Sequence, residues 1–216
     1  KFDRIDILIC NAAVVTQHSR ATKAGLDEMF AVNYLAKYLL ITGMLNQDGF
    51  NRSEKEAPRI IVVNSESHRN PEGFEWDKFG FYENYGIKKS VSMYAYYKLL
   101  LLTLTTEFSR RLNEDDRVNF SVSALCPGPV NSNIAREAPA LFQPLLRLVF
   151  RIFFRSPEKA CRPIIYLASS GEQSNRAMDY LFLMNRKDMD PKATDPENGR
   201  KLWELTEKLA QRLVPE

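Results

Sequence analysis

The 216-residue sequence predicts an α/β fold, a doubly wound parallel sheet, from three observations. Short, unbroken apolar runs alternate with longer segments of helical periodicity; no hairpin signal joins the runs; and each run closes on Asn, Ser, Pro or Gly. Strands buried on both faces read as continuous apolar stretches, and strand–helix alternation without hairpins implies right-handed βαβ crossovers with helices on both sides of the sheet.

Asp6-Ile-Leu-Ile-Cys10 is the first such run and ends at Asn11-Ala12-Ala13. Residues 25 to 46 place Leu26, Met29, Phe30, Tyr34, Leu40 and Met44 at helical spacing, with Asn33 as a polar interruption. Asparagine is a poor helix former, so its amide is expected to meet a partner. Arg59 to Asn64 (RIIVVN) is the second strand, followed at once by Ser65. Residues 69 to 90 predict a long loop, and loops of that length in compact domains are usually functional or disordered. A helix is expected over 92 to 113, a strand over Val118 to Leu125 that stops at Pro127-Gly128-Pro129, and a strand at Tyr180 to Met184. Ser156-Pro157-Glu158 and Asp195-Pro196-Glu197 both read as helix openings: an N-cap, a proline in the first turn and an acid that favours the helix dipole. The last helix has Leu202, Leu205, Leu209 and Leu213 on one face.

The length suits one domain, 1–216, with a sizeable core. A net charge of +3 is too mild for a phosphate-backbone binder, so nucleic acid is not an expected partner. Cys10, Cys126 and Cys161 are odd in number and lack ligand spacing, which predicts buried free thiols, no metal and an intracellular protein, cytoplasmic or on the cytoplasmic face of a membrane. No run of 18 or more apolar residues occurs.

The chemistry concentrates at strand ends, where open α/β sheets bind ligands. Tyr94 stands four residues before Lys98, on one helical face, and a phenol with an ordinary pKa near about 10 needs such a cation to work as an acid or base near neutrality. Tyr-x-x-x-Lys is common on helix surfaces, and the sequence supplies its own control in Tyr85-Gly-Ile-Lys-Lys89, which lies in the predicted loop. Ser65 follows a strand, where its hydroxyl either caps the strand end or bonds a substrate oxygen.

Taken in order, Asn11-Ala12-Ala13, Asn33, Ser65, Tyr94-x-x-x-Lys98 and Pro127-Gly128-Pro129-Val130-Asn131-Ser132 resemble the short-chain dehydrogenases/reductases, a Rossmann-like family, over nearly the whole chain. Phe30-Ala-Val-Asn33-Tyr-Leu35, Ser65-Glu-Ser-His68, Ser156-Pro-Glu158 and Gly199-Arg-Lys-Leu-Trp203 look most like its retinol-dehydrogenase-like branch. The resemblance implies hydride transfer between NADP, with NAD as the alternative, and an apolar alcohol or carbonyl such as a retinoid, steroid or lipid-like molecule. It implies that Tyr94 exchanges the proton, Lys98 lowers the tyrosine pKa and holds the nicotinamide ribose, Ser65 orients the substrate oxygen and Asn33 fixes a water. Asn11, Ala12, Ala13, Tyr94, Lys98, Pro127, Gly128, Val130 and Ser132 would border the cofactor.

The sequence departs from that pattern at Ala13 and Ala36, where glycine is usual, and at Tyr97, where a small residue is usual and a ring is expected to crowd the site. The family's glycine-rich pyrophosphate turn is found nowhere among the nine glycines. The chain is therefore expected to be the C-terminal two thirds of such an enzyme, without the N-terminal βαβ units, and inactive alone. The rival expectation is a non-catalytic binding or scaffolding module. Residues 139 to 155 (PALFQPLLRLVFRIFFR) repeat arginine every fourth position from Arg147 to Arg155 in an apolar background. They suit a substrate lid, a peripheral membrane contact, or a core or subunit contact; a homodimer is the oligomer expected.

Overall fold

A computed structural model describes residues 4–52, 56–114, 117–130, 155–173 and 176–213. Among these, strands β1 (Ile7–Cys10), β2 (Arg59–Val63), β3 (Ser121–Cys126), β4 (Met178–Phe182) and β5 (Asn185–Arg186) form one sheet in the order β1-β2-β3-β4-β5. The first four are parallel, and Cys10, Val62, Ala124 and Tyr180 lie in one row across them. β5 returns antiparallel to β4.

Period-two alternation divides the core. Ile60 and Val62 of β2 face a large cluster with Phe30, Tyr34, Leu100, Leu104 and Phe108, while Ile61 packs with Leu125, Leu181 and Leu167 on the opposite side. Helices therefore cover both faces, as predicted. The short α1 (Glu28–Phe30) passes through a π segment, Ala31–Leu35, into α2 (Ala36–Asn46). With α3 (Ile87–Leu112) and α6 (Pro196–Leu213), these helices build the larger cluster; α4 (Pro157–Ser169) builds the smaller. Arg59, at the start of β2, is buried because its guanidinium donates to the Leu167 and Ala168 carbonyls, closing the C-terminal turn of α4. β1 is the edge of the described sheet, with Ile7 38% and Ile9 43% exposed.

Several boundaries differ from those the sequence predicts. α1 starts at Glu28, where Asp27 caps it by accepting from the Phe30 amide. α3 starts at Ile87, five residues before the predicted 92, so the predicted 69–90 loop ends early; a 3-10 turn at Glu66–Arg69 leads into it and another, Trp76–Lys78, lies within it. The fourth strand is two residues earlier than Tyr180–Met184 because Leu183-Met184 is a tight turn, and the expectation of no hairpin fails at β4–β5. That turn carries Leu183 at φ 60°, a conformation that leucine rarely signals. A further short helix, α5 (Pro191–Thr194), precedes the last one. Cys161 is exposed, against the expectation of three buried thiols; Cys10 and Cys126 are buried.

Candidate active site

α3 runs for 26 residues across the α1/α2 side of the sheet, which brings its second and third turns beside the carboxyl end of β2. Lys98, 2% exposed, donates from Nζ to the Val63 carbonyl at 2.9 Å, and that ammonium stands 5.6 Å from the centre of the Tyr94 ring. Asn64 fixes this junction: its amide nitrogen donates to the Lys98 carbonyl at 3.2 Å and its oxygen accepts from the Ser65 amide at 2.8 Å. The Ser65 hydroxyl acts on the Tyr94 phenol as a neighbouring polar group. Its Oγ accepts from the Ser67 amide and caps the Glu66–Arg69 turn, which is the capping role expected of it.

The electrostatics of the pair differ from the expected lowering of the tyrosine pKa. Burial pushes Tyr94 up to about 12, with the nearby Cys126 adding to the rise and the Ser65 hydroxyl opposing it. Lys98 is pulled down to about 7, first by burial, then by the charge of Lys37, with Cys126 opposing. Desolvation outweighs the mutual stabilisation expected of a phenolate and an ammonium.

Asn33 sits in the π segment, fully buried, and its amide makes a two-way clamp on Val14: Oδ1 accepts from the Val14 amide and Nδ2 donates to the Val14 carbonyl, each at 2.8 Å. Both side-chain functions are thereby spent on the segment leaving β1. Asn11 and Ala12 are exposed there and Ala13 is half-buried. At the end of β3, Pro127, Gly128 and Val130 are half-buried, with Gly128 at φ 76° and a Cβ built on it only 2.6 Å from Leu183 Cδ2. The positive φ calls for glycine at 128, while the Leu183 tip would have to move aside for any side chain there. Ser132 and all of the 139–155 segment except the exposed Arg155 lie outside the described residues.

The two Tyr-x-x-x-Lys copies separate clearly. Tyr85 is buried with its hydroxyl donating to Asp27 Oδ2 at 2.6 Å, and Lys89 pairs with Glu83 at the surface. Tyr97 does not crowd the site: it is 2% exposed and its ring lies 5.7 Å from that of Phe30. Sequence reasoning passed over Asn64, Asp27 and Lys37, all buried polar groups inside apolar runs; only their polarity at such positions marks them.

Exposed backbone at the ends of β1 and β3, a buried ammonium bonded to one carbonyl and a hydroxyl pair at the end of β2 are a donor set suited to a hydroxylated, anionic dinucleotide. Among the described residues no group of acids, histidines or cysteines could hold a metal, and no helix is long and apolar enough to cross a membrane.

No family model matches the chain. It is 33% identical to retinol dehydrogenase 14 of Homo sapiens over 206 residues and 31% identical to retinol dehydrogenase 13 of Mus musculus over 210. These matches cover 94% and 93% of the chain, which spans 58% of the length of each relative. In structure it resembles an uncharacterized protein from Mycobacterium paratuberculosis (TM-score 0.68, 20% identity, 97% of this chain and 68% of that one). It also resembles a Burkholderia cenocepacia short chain dehydrogenase in complex with NADP (TM-score 0.53, 16% identity, 82% and 63%). Both likenesses concern the fold.

Proposed function

Since the chain belongs to the short-chain dehydrogenases/reductases, in their retinol-dehydrogenase-like branch, we propose that it carries the proton-transfer half of an NAD(P)-dependent oxidoreductase acting on an apolar alcohol or carbonyl. One observation carries this: the Lys98 ammonium, buried at the carboxyl end of β2 and bonded to the Val63 carbonyl, stands 5.6 Å from the centre of the Tyr94 ring.

A nicotinamide, when bound, supplies or takes the hydride. Tyr94 then gives its hydroxyl proton to a substrate oxygen in reduction, or takes one in oxidation. Ser65, at the end of β2, holds that oxygen within reach of the phenol. Lys98, with one ammonium proton committed to Val63, has the others free for the ribose hydroxyls and for a negative tyrosine oxygen. Asn11 to Ala13 and the Pro127-Gly128 turn, joined by Val130 and Ser132, would flank the nicotinamide. NADP is the cofactor proposed, with NAD as the alternative; retinoids, steroids or lipid-like alcohols and ketones are the substrate class.

Titrating the chain with NADPH and then NADH, followed by nicotinamide fluorescence, tests the site directly. Saturable binding that survives Tyr94→Phe but weakens with Lys98→Met supports it. Binding indifferent to Lys98 would overturn the placement of the ribose.

A further inference from the structure

Ser65 is bound at almost every polar atom it has. Its amide donates to Asn64 Oδ1 at 2.8 Å. Its carbonyl accepts twice from His68, from the amide at 3.1 Å and from the ring Nδ1 at 2.7 Å. Its Oγ accepts twice from Ser67, from the amide at 3.2 Å and from the Ser67 hydroxyl at 3.0 Å. A carbonyl oxygen and a hydroxyl oxygen each have two lone pairs, so both acceptors of the residue are filled. What Ser65 still has to offer is its hydroxyl proton.

The turn that makes these bonds is short and heavily tethered. Glu66 accepts from the Tyr180 hydroxyl of β4 at 2.7 Å and from Arg69 Nε at 3.2 Å, with Lys187, just past β5, on the same carboxylate. Arg69 in turn donates to the Asp188 carbonyl. His68 is fully buried, its ring edge-on to that of Tyr180 with centres 5.6 Å apart. Held at Glu66, His68 and Arg69, the turn keeps the half-buried Ser67 facing Ser65.

The direction of the serine bond bears on the proposed reaction. A carbonyl oxygen, and the negative oxygen that hydride transfer makes of it, can only accept. A serine able both to accept and to donate divides its population between orientations, whereas one whose lone pairs are filled presents its proton. Accepting bonds also polarises a hydroxyl and strengthens the bond that it gives, most of all to an oxygen gaining negative charge.

We propose that Ser67 is a positioning residue for the reaction, committing the Ser65 hydroxyl to donation toward the substrate oxygen. The proposal rests on Ser65 and Tyr94 being the groups that meet that oxygen; Ser67 acts through Ser65 and is assigned no contact with substrate or cofactor.

The test is a double-mutant cycle in the full-length enzyme, with all-trans-retinal and NADPH as the probe reaction. Ser67→Ala should lower kcat by about 3- to 10-fold, the worth of one hydrogen bond, with the KM for NADPH unchanged. Ser67→Thr, which keeps the hydroxyl, should stay near the parent. In a Ser65→Ala background, where no serine proton is left to direct, Ser67→Ala should change nothing further. A loss of the same size in both backgrounds means that Ser67 only supports the turn, and overturns the proposal; so does a Ser67→Ala enzyme as fast as the parent. If Ser67→Ala melts below the assay temperature, Ser67→Cys takes its place, since a thiol is a weak donor. A neutron diffraction map of the deuterated chain needs no turnover. A deuteron on Ser67 Oγ pointing at Ser65 Oγ supports the proposal, and one on Ser65 Oγ pointing back at Ser67 overturns it, including where the enzyme leaves retinal unreduced. Retinal turnover that survives Tyr94→Phe would instead sink the enzymatic reading while the map still decides the direction of the serine bond, so the two failures can be told apart.

Discussion

Tyr94 and Tyr85 begin the same four-residue spacing to a lysine, yet only the Tyr94 ring has the lysine ammonium beside it, 5.6 Å from its centre, whereas the Tyr85 hydroxyl donates to the buried Asp27 carboxylate. Tyr94→Phe in the full-length enzyme should lower kcat by about 10²–10⁴-fold, the usual worth of a placed acid or base, with cofactor affinity largely kept. Tyr85→Phe should leave turnover near its parent level and cost about 1–2 kcal/mol of unfolding free energy in urea, because Asp27 retains its bond from the Phe30 amide. Equal losses of turnover would reject the distinction. Lys98 supplies a second check through pH. Its folded pKa, near 7, lies below the unfolded value, so between these the unfolded chain binds more protons and stability rises with pH. Urea midpoints of the parent should therefore climb between pH 7 and 8.5, by up to about 1.4 kcal/mol per pH unit, and climb less in Lys98→Met. Tyr94, Lys98 and Ser65 could be read from the sequence because each falls at a strand end or on a patterned helix. Asp27 and Asn64 could not, since the tyrosine and the helix that they bind are 58 and 34 residues away.

The π segment Ala31–Leu35 is the element that turns a helix into a clamp. Without its Asn33 side chain, Val14 would keep a half-buried amide and carbonyl without partners. Asn33→Leu should cost at most about 2–6 kcal/mol, from two unpaired groups at about 1–3 kcal/mol each, whereas Asn33→Gln should lose less; thermal unfolding followed by circular dichroism separates them. The turn that follows β3 is constrained in a different way, because a Cβ at Gly128 would fall 2.6 Å from Leu183 Cδ2 in the β4–β5 turn. Gly128→Ala should destabilise by about 1–3 kcal/mol, and adding Leu183→Ala should recover the steric part but not the cost of a positive φ. Strand positions were legible from their apolar runs, apart from shifts of two or three residues. The start of α3 was not, because Lys88, Lys89 and Ser90 break the apolar pattern, and the β4–β5 turn was hidden because Leu183-Met184 looks like strand.

At the scale of the molecule, the parallel sheet with helices on both faces follows from alternation alone, and the solved structures that the chain resembles share its fold. What composition could not foretell is how much polar material the interior would take, from Arg59 of β2 against α4 to Lys37 and Lys98 beside the sheet. The exposed isoleucines of β1 make the isolated chain a candidate for edge-to-edge association, so Ile9→Lys should reduce light scattering in concentrated samples without lowering the unfolding midpoint. The sheet order also bears on how the chain folds. Each parallel strand pairs with its successor in sequence, across crossovers of tens of residues, so no pairing can form locally and each must wait for a long loop to close. A chain leaving the ribosome from its N-terminus always finds the edge it needs already made, whereas one refolding from denaturant must choose among edges that are all exposed at once. Synthesis direction is thus a source of fidelity for this topology, and refolding in the test tube should be slower and lose more material to aggregation than folding during translation.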